Sequence, residues 1–144
     1  MTQSVLDLYL KETKEEPMGE PLELFVDGYT IGRNPSKIGG GFSIFDKQDN
    51  LLQEVEVKKY WMTNNEAELL GMTRALELAT TNSIIYTDSR NTMAWVKSGR
   101  PKARMDLQPI ALKARRLIEE KNITVCWVPR EMNLAGIYLE NRGL

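Results

Sequence analysis

The chain has 144 residues, 42% hydrophobic and 27% charged, with a formal net charge of −1. That length fits about one domain with a substantial core, and near-neutrality requires any charged functional surface to be local. No histidine occurs and Cys126 is the one cysteine, which excludes Ser-His-Asp and Cys-His catalysis, imidazole-based zinc sites and an internal disulfide.

Residues 1–20 are polar, with a brief apolar cluster at Val5, Leu6, Leu8 and Leu10 and prolines at 17 and 21 around their end. They are expected to form an extension, with at most one short helix, outside a domain spanning 21–144. Their opening lacks the basic-then-apolar order of a secretory signal, no apolar run is long enough for a membrane, and a lone cysteine fits a reducing, cytoplasmic setting.

LELFVDGYT (22–30) is an apolar run rich in strand formers, and TIGRNPSKIGGG reads as turn chemistry throughout. GFSIFDK and LLQEVEVKKY, joined by KQDN, predict an antiparallel hairpin. From Asn64 the pattern turns helical, with apolar residues at Leu69, Met72, Leu76 and Ala79 and a cap at Thr63 or Asn64. SIIYTD (83–88) predicts a strand, SRNTMAWVKSG a short helix, LQPIALKARRLIEEK (107–121) a longer one, ITVCWVP (123–129) a fifth strand and LAGIYLENR a last helix. The order β-β-β-α-β-α-α-β-α implies an α/β domain: a mixed sheet with helices on both faces and parallel central strands.

Acids occupy unexpected places in this frame. Asp27 sits inside an apolar strand and Asp88 ends another, and burying an unpaired carboxylate is costly. Each acid could simply cap a turn or helix, Asp88 especially. Glu68 shares a helix side with Met72, Ala75 and Ala79, a face that should pack on the sheet, although it could merely favour the helix N-terminus. Three acids converging on one sheet edge would repel one another unless hard divalent cations lay between them. Two such ions about 4 Å apart would hold a phosphodiester for in-line attack.

FVDGYT followed by NPSKIGGGF, then TNNEAELLGMTRAL, YTDS and WVPREMN, resembles type I ribonuclease H, from about Leu22 to Asn141 and in the family's order and spacing. The resemblance implies the ribonuclease H-like fold, a five-stranded mixed sheet in order 3-2-1-4-5. It implies Mg²⁺- or Mn²⁺-dependent cleavage of the RNA strand of RNA–DNA hybrids, with two ions per site in the presence of substrate. Asp27, Glu68 and Asp88 would then hold the metals. Thr63, Asn64, Asn65 and Asn133 would contact the hybrid, and Gly39, Gly40 and Gly41 would bring backbone close to the RNA. Lys97, Arg100, Lys102 and Arg104, around Trp95, lie where the family grips the DNA-strand backbone, while Trp95 itself reads better as core. No obligate protein partner is implied, and a monomer is expected.

The family pattern continues N-x-x-A-D, with the aspartate completing the metal site. Here the position falls on Gly136 or Ile137. Glu140, one turn later on the same helical side, is the favoured replacement ligand. The alternative is a solvated glutamate and a three-carboxylate site of reduced activity. Glu131, in the preceding loop, is a further catalytic candidate. Two other functions stay open: a hybrid-binding domain without competent chemistry, and a DNA nuclease of the same fold.

Overall fold

The computed structural model describes residues 19–144, so nearly all of the expected N-terminal extension, its apolar cluster included, lies outside the described residues. Strands β1 (Glu23–Thr30), β2 (Gly39–Asp46) and β3 (Leu51–Lys58) form an antiparallel meander. Strands β4 (Ile84–Thr87) and β5 (Thr124–Trp127) join in parallel on the other side of β1. The five-stranded sheet runs β3-β2-β1-β4-β5. Four α-helices among the described residues accompany it: α1 (Asn64–Leu78), α2 (Arg90–Ser98), α3 (Gln108–Lys121) and α4 (Leu134–Asn141). No helix among the described residues is long and apolar enough to cross a membrane.

The periodicity of α1 produces the main core. Leu69, Met72, Ala75 and Leu76 pack on Leu24, Val26, Ile44 and Ile85, all of them essentially without solvent contact. Burying each of the large side chains contributes about 1.5–3 kcal/mol. Lys121, at the end of α3, donates to the free carbonyls of Leu76, Glu77 and Ala79 at 2.8–2.9 Å. A cation there complements the negative end of α1 and ties the two helices together.

Helix α4 covers the opposite face of β1 and β2. Ser43 donates to the carbonyl of Ala135 at 3.2 Å, and the rings of Phe45 and Tyr138 meet 5.1 Å apart. Strand β2, covered on both faces, is therefore buried from Gly39 to Phe45. This corrects the reading of Gly39–Gly41 as turn. The three glycines are strand residues paired with β1 and β3, and a β-carbon on each would lie 2.0–2.2 Å from a carbonyl oxygen of Tyr29, Val55 or Val57. Close strand packing explains the glycine run.

Candidate active site

Parallel pairing brings the ends of β1 and β4 to one edge, and with them Asp27 and Asp88. Helix α1 comes to the same place because residue 28 is glycine. A β-carbon there would sit 2.6 Å from the backbone nitrogen of Glu68, so any larger residue would push the helix off the strand. The result is a trio: Asp27, Glu68 and Asp88 each offer a carboxylate oxygen within 4.8 Å of the other two.

The capping alternatives find other residues. Ser89 accepts from the amide of Thr92 at 3.1 Å and caps α2. Thr63 accepts from the amide of Glu66 at 3.2 Å and caps α1. Asp88 is held differently: its Oδ2 accepts from Asn133 Nδ2 at 3.0 Å and its carbonyl from Trp127 Nε1 at 3.1 Å.

Electrostatics mark the trio as a cation site. Asp27 is 3% exposed. Burial, with the charge of Asp88 beside it, pushes its carboxyl up to about 6 despite hydrogen bonding with Glu68 and the nearby Arg130. Burial raises Glu68 well above the usual carboxylate range, and the Asp27 charge adds to the shift. The nearby backbone amide of Gly28 offsets part of both shifts. Hard oxygen donors at this spacing, short of counter-charge, fit a divalent cation.

The trio opens into a cleft of ≈ 240 Å³ lined by Asp27, Thr30, Asn64, Glu68, Arg130 and Leu139, among others. Arg130 is a functional candidate that the sequence reading passed over. Its signal was its place in VPRE, immediately before the helix that closes the site.

Helix α4 settles what stands at the fourth position. A β-carbon on Gly136 would lie 3.1 Å from Asp27 Oδ2 and 3.5 Å from Asp88 Oδ2, whereas Ile137 is exposed. Gly136 therefore occupies the place of the family's aspartate. Glu140 is not brought to the trio. Its carboxylate is 68% exposed and lies 3.9 Å from Arg130 Nε, while Leu139 takes the buried, cleft-lining side of that turn. The expectation of a replacement ligand is corrected accordingly: among the described residues the site has three carboxylates. Glu131 is exposed on the 3₁₀ turn before α4 and outside the trio and the cleft.

A second cleft, ≈ 510 Å³, lies on the other side of the first turn of α1. Asn65, Trp95, Arg100, Lys102 and Arg104 line it, while Lys97 is exposed outside it. Neighbouring asparagines thus serve different clefts, Asn64 the acidic one and Asn65 the basic one. Trp95, 8% exposed, belongs to the core.

Three expected substrate contacts have structural duties: Thr63, the cap of α1, Arg104 and Asn133. Arg104 bonds Thr63 Oγ1 at 2.9 Å and pairs with Asp106 and the buried Glu66, which Lys59 also meets. Glu66 escaped the sequence reading because a first-turn glutamate is usually solvated. Asn133 is wholly buried, so the expectation that it touches substrate is corrected. Its Nδ2 donates to Val26 O as well as to Asp88, and its Oδ1 accepts from the Ala135 amide to cap α4.

Sheet order, helix placement and the acid trio together define a type I ribonuclease H-like protein. The chain belongs to the reverse transcriptase-like family, whose match spans residues 25–143. Among solved structures it is similar to the N-terminal ribonuclease H domain of rv2228c from Mycobacterium tuberculosis, with 25% identity, a TM-score of 0.64, and coverage of 83% of this chain and 95% of that one. It is similar in fold to RNase H1 from Halobacterium salinarum, at 22% identity and TM-score 0.61 over 85% of this chain and 99% of that one. The LC11 RNase H1, solved in complex with an RNA/DNA hybrid, is 25% identical with a TM-score of 0.58 over 78% and 88% of the two chains. No curated protein matches the chain significantly.

Proposed function

We propose that this protein is an endonuclease that hydrolyses the RNA strand of RNA–DNA hybrids with two divalent cations, Mg²⁺ or Mn²⁺. The observation that carries the reading is the trio of Asp27, Glu68 and Asp88 within 4.8 Å. The three carboxylates would hold the cations, which would supply an activated water and stabilise charge on the leaving 3′-oxygen, while Asn133 bonds the Asp88 carboxylate and Trp127 its carbonyl. Arg130 presents a cation to a phosphate entering the cleft. Asn65, Arg100 and Lys102 take backbone phosphates of the second strand, contacts that give affinity and orientation without reading sequence. The likeness to a protein that was solved holding an RNA/DNA hybrid supports this choice of substrate.

One observation favours a second reading, a hybrid-binding domain without chemistry: the fourth position is Gly136. A single assay separates them, with end-labelled hybrid, duplex DNA and duplex RNA each incubated with Mg²⁺ or Mn²⁺. Cleavage confined to the RNA of the hybrid supports the nuclease, and loss of cleavage in Asp27→Asn ties it to the trio. Hybrid binding without cutting in either metal establishes the second reading, and cutting of duplex DNA overturns both.

A further inference from the structure

The end of the β2–β3 ladder carries an aromatic and basic lobe that the cleavage mechanism does not use. Ile38, Tyr60 and Trp61 are 60%, 62% and 49% exposed. The two segments oppose each other, since the Lys59 amide donates to the Ile38 carbonyl and Ser36 and Met62 exchange two backbone bonds of 2.7 and 3.1 Å. Residues 31–38 and 58–62 include Arg33, Lys37, Lys58 and Lys59 and no acid. Lys59 is committed to Glu66. Lys37 hangs 5.8 Å from the centre of the Trp61 ring, and Tyr60 meets that ring edge-on at 4.9 Å.

Trp61 is presented by the backbone rather than left over from the core. Its φ is +62°, a conformation that costs a bulky L-residue free energy unless the surroundings enforce it. The enforcement is visible next door: Met62 is fully buried and locked to Ser36 on both sides of its peptide. The chain turns Met62 inward and the indole outward.

The lobe continues into the acidic cleft. Asn34 Oδ1 accepts from the Asn64 amide at 2.9 Å, and Asn64 Oδ1 from Thr30 Oγ1 at 2.9 Å, with Thr30 and Asn64 both lining the cleft. Trp61 lies three positions before Asn64, a reach of at most about 11 Å. That is roughly three nucleotides at duplex spacing.

We propose that Trp61, with Tyr60 and the cations Lys37 and Lys58, forms a stacking subsite for unpaired nucleotides adjoining the hybrid, so that the protein favours hybrids ending in a single-stranded extension. Bases inside a duplex already stack on their neighbours, whereas an unpaired base has a free face for an exposed indole. Lys37 and Lys58, which form no salt bridge among the described residues, suit the accompanying phosphates. The inference rests on reading the acid cleft as the hybrid site.

The test uses the full chain carrying Asp27→Asn, which prevents cleavage. Fluorescence anisotropy compares a short blunt hybrid with the same hybrid bearing an unpaired extension, of RNA in one arm and DNA in another. One stacked base is expected to tighten binding roughly tenfold over the blunt hybrid. That ratio should fall towards one with Trp61→Ala added and persist with Trp61→Phe. A ratio near one in the Trp61 protein, the result if a protein partner occupies the lobe, overturns the proposal, as does a ratio unchanged by Trp61→Ala. If the blunt hybrid does not bind, the hybrid reading fails by itself. The subsite is then judged with a single-stranded oligonucleotide: binding lost on Trp61→Ala supports it, and no such binding overturns it.

Discussion

The open side of Gly136 faces Asp27: a β-carbon at residue 136 would stand 3.1 Å from Asp27 Oδ2. The helix is therefore already placed to deliver a fourth carboxylate, and only the side chain is missing. Gly136→Asp should raise metal-dependent hybrid cleavage by about tenfold, because one more anionic oxygen lowers the barrier by about 1.4 kcal/mol or more. The crowding at 3.1 Å requires Asp27 to give by a few tenths of an ångström, which a bound cation would favour. Glu140→Ala should leave the rate within roughly twofold, since an exposed pair with Arg130 contributes little. Initial rates of the two variants beside the parent decide the matter, and a sharp loss in Glu140→Ala would restore it as a ligand.

Metal-free stability should fall as pH rises. Asp27 ionises at about 6 in the folded protein, against an ordinary 3.8. The folded state therefore holds a proton that the unfolded chain releases, and the stability present below about pH 4 is lost through pH 6. The loss is about 3 kcal/mol, and the raised carboxyl of Glu68 acts in the same direction. Urea unfolding in chelator should show this decline, and Asp27→Asn should abolish much of it. Added Mg²⁺ or Mn²⁺ should stabilise the parent above neutrality more than the variant.

Asn133→Ala should impair turnover and stability together. It removes both donors to Val26 O and Asp88 and the cap of α4, all in the interior. A buried carbonyl left unsatisfied and a lost cap cost about 2–4 kcal/mol. Asn133→Asp keeps the capping oxygen but sets an anion against Asp88. It should therefore regain helix stability without regaining kcat, a separation that simple unfolding would not give.

Glu66 should act on binding more than on chemistry. Its carboxylate, 4% exposed, anchors Arg104 at 3.3 Å and so holds the basic segment beside the first turn of α1. Glu66→Ala leaves Lys59 without its carboxylate and Arg104 held by Asp106 and Thr63, and because both cations are partly exposed the cost in stability should be small. Hybrid affinity should drop with kcat less affected. Arg100→Ala and Lys102→Ala should each flatten the salt dependence of binding by roughly one unit of slope, as read from titrations at several salt concentrations.

Much of this was legible in the chain itself. Alternating and three-four spacings outlined the strands and helices, and the acids in apolar strands pointed to one sheet edge, where the fold brings them together. Such patterns are local, because a residue's neighbours along a strand or helix determine which side it faces. The same limit explains the misreadings. Gly39–Gly41 look like a turn until two flanking strands close on them, and Asn133 looks available until β1 and α4 bury it. Helical spacing put Glu140 beside Gly136, but Leu139 competes for the same buried turn and Arg130 faces the glutamate from outside.

The sequence by itself determined the element order, the two acids in apolar strands and the polar helix start that joins them. Only the tertiary structure decided that, among the described residues, three carboxylates and not Glu140 meet at the sheet edge, and that the buried Glu66 is paired by Arg104 and Lys59. The reason is distance: residues 27, 68, 88 and 136 lie tens of positions apart in the chain, and their separation in space depends on how far Gly28 lets α1 approach and how α4 lies on β1.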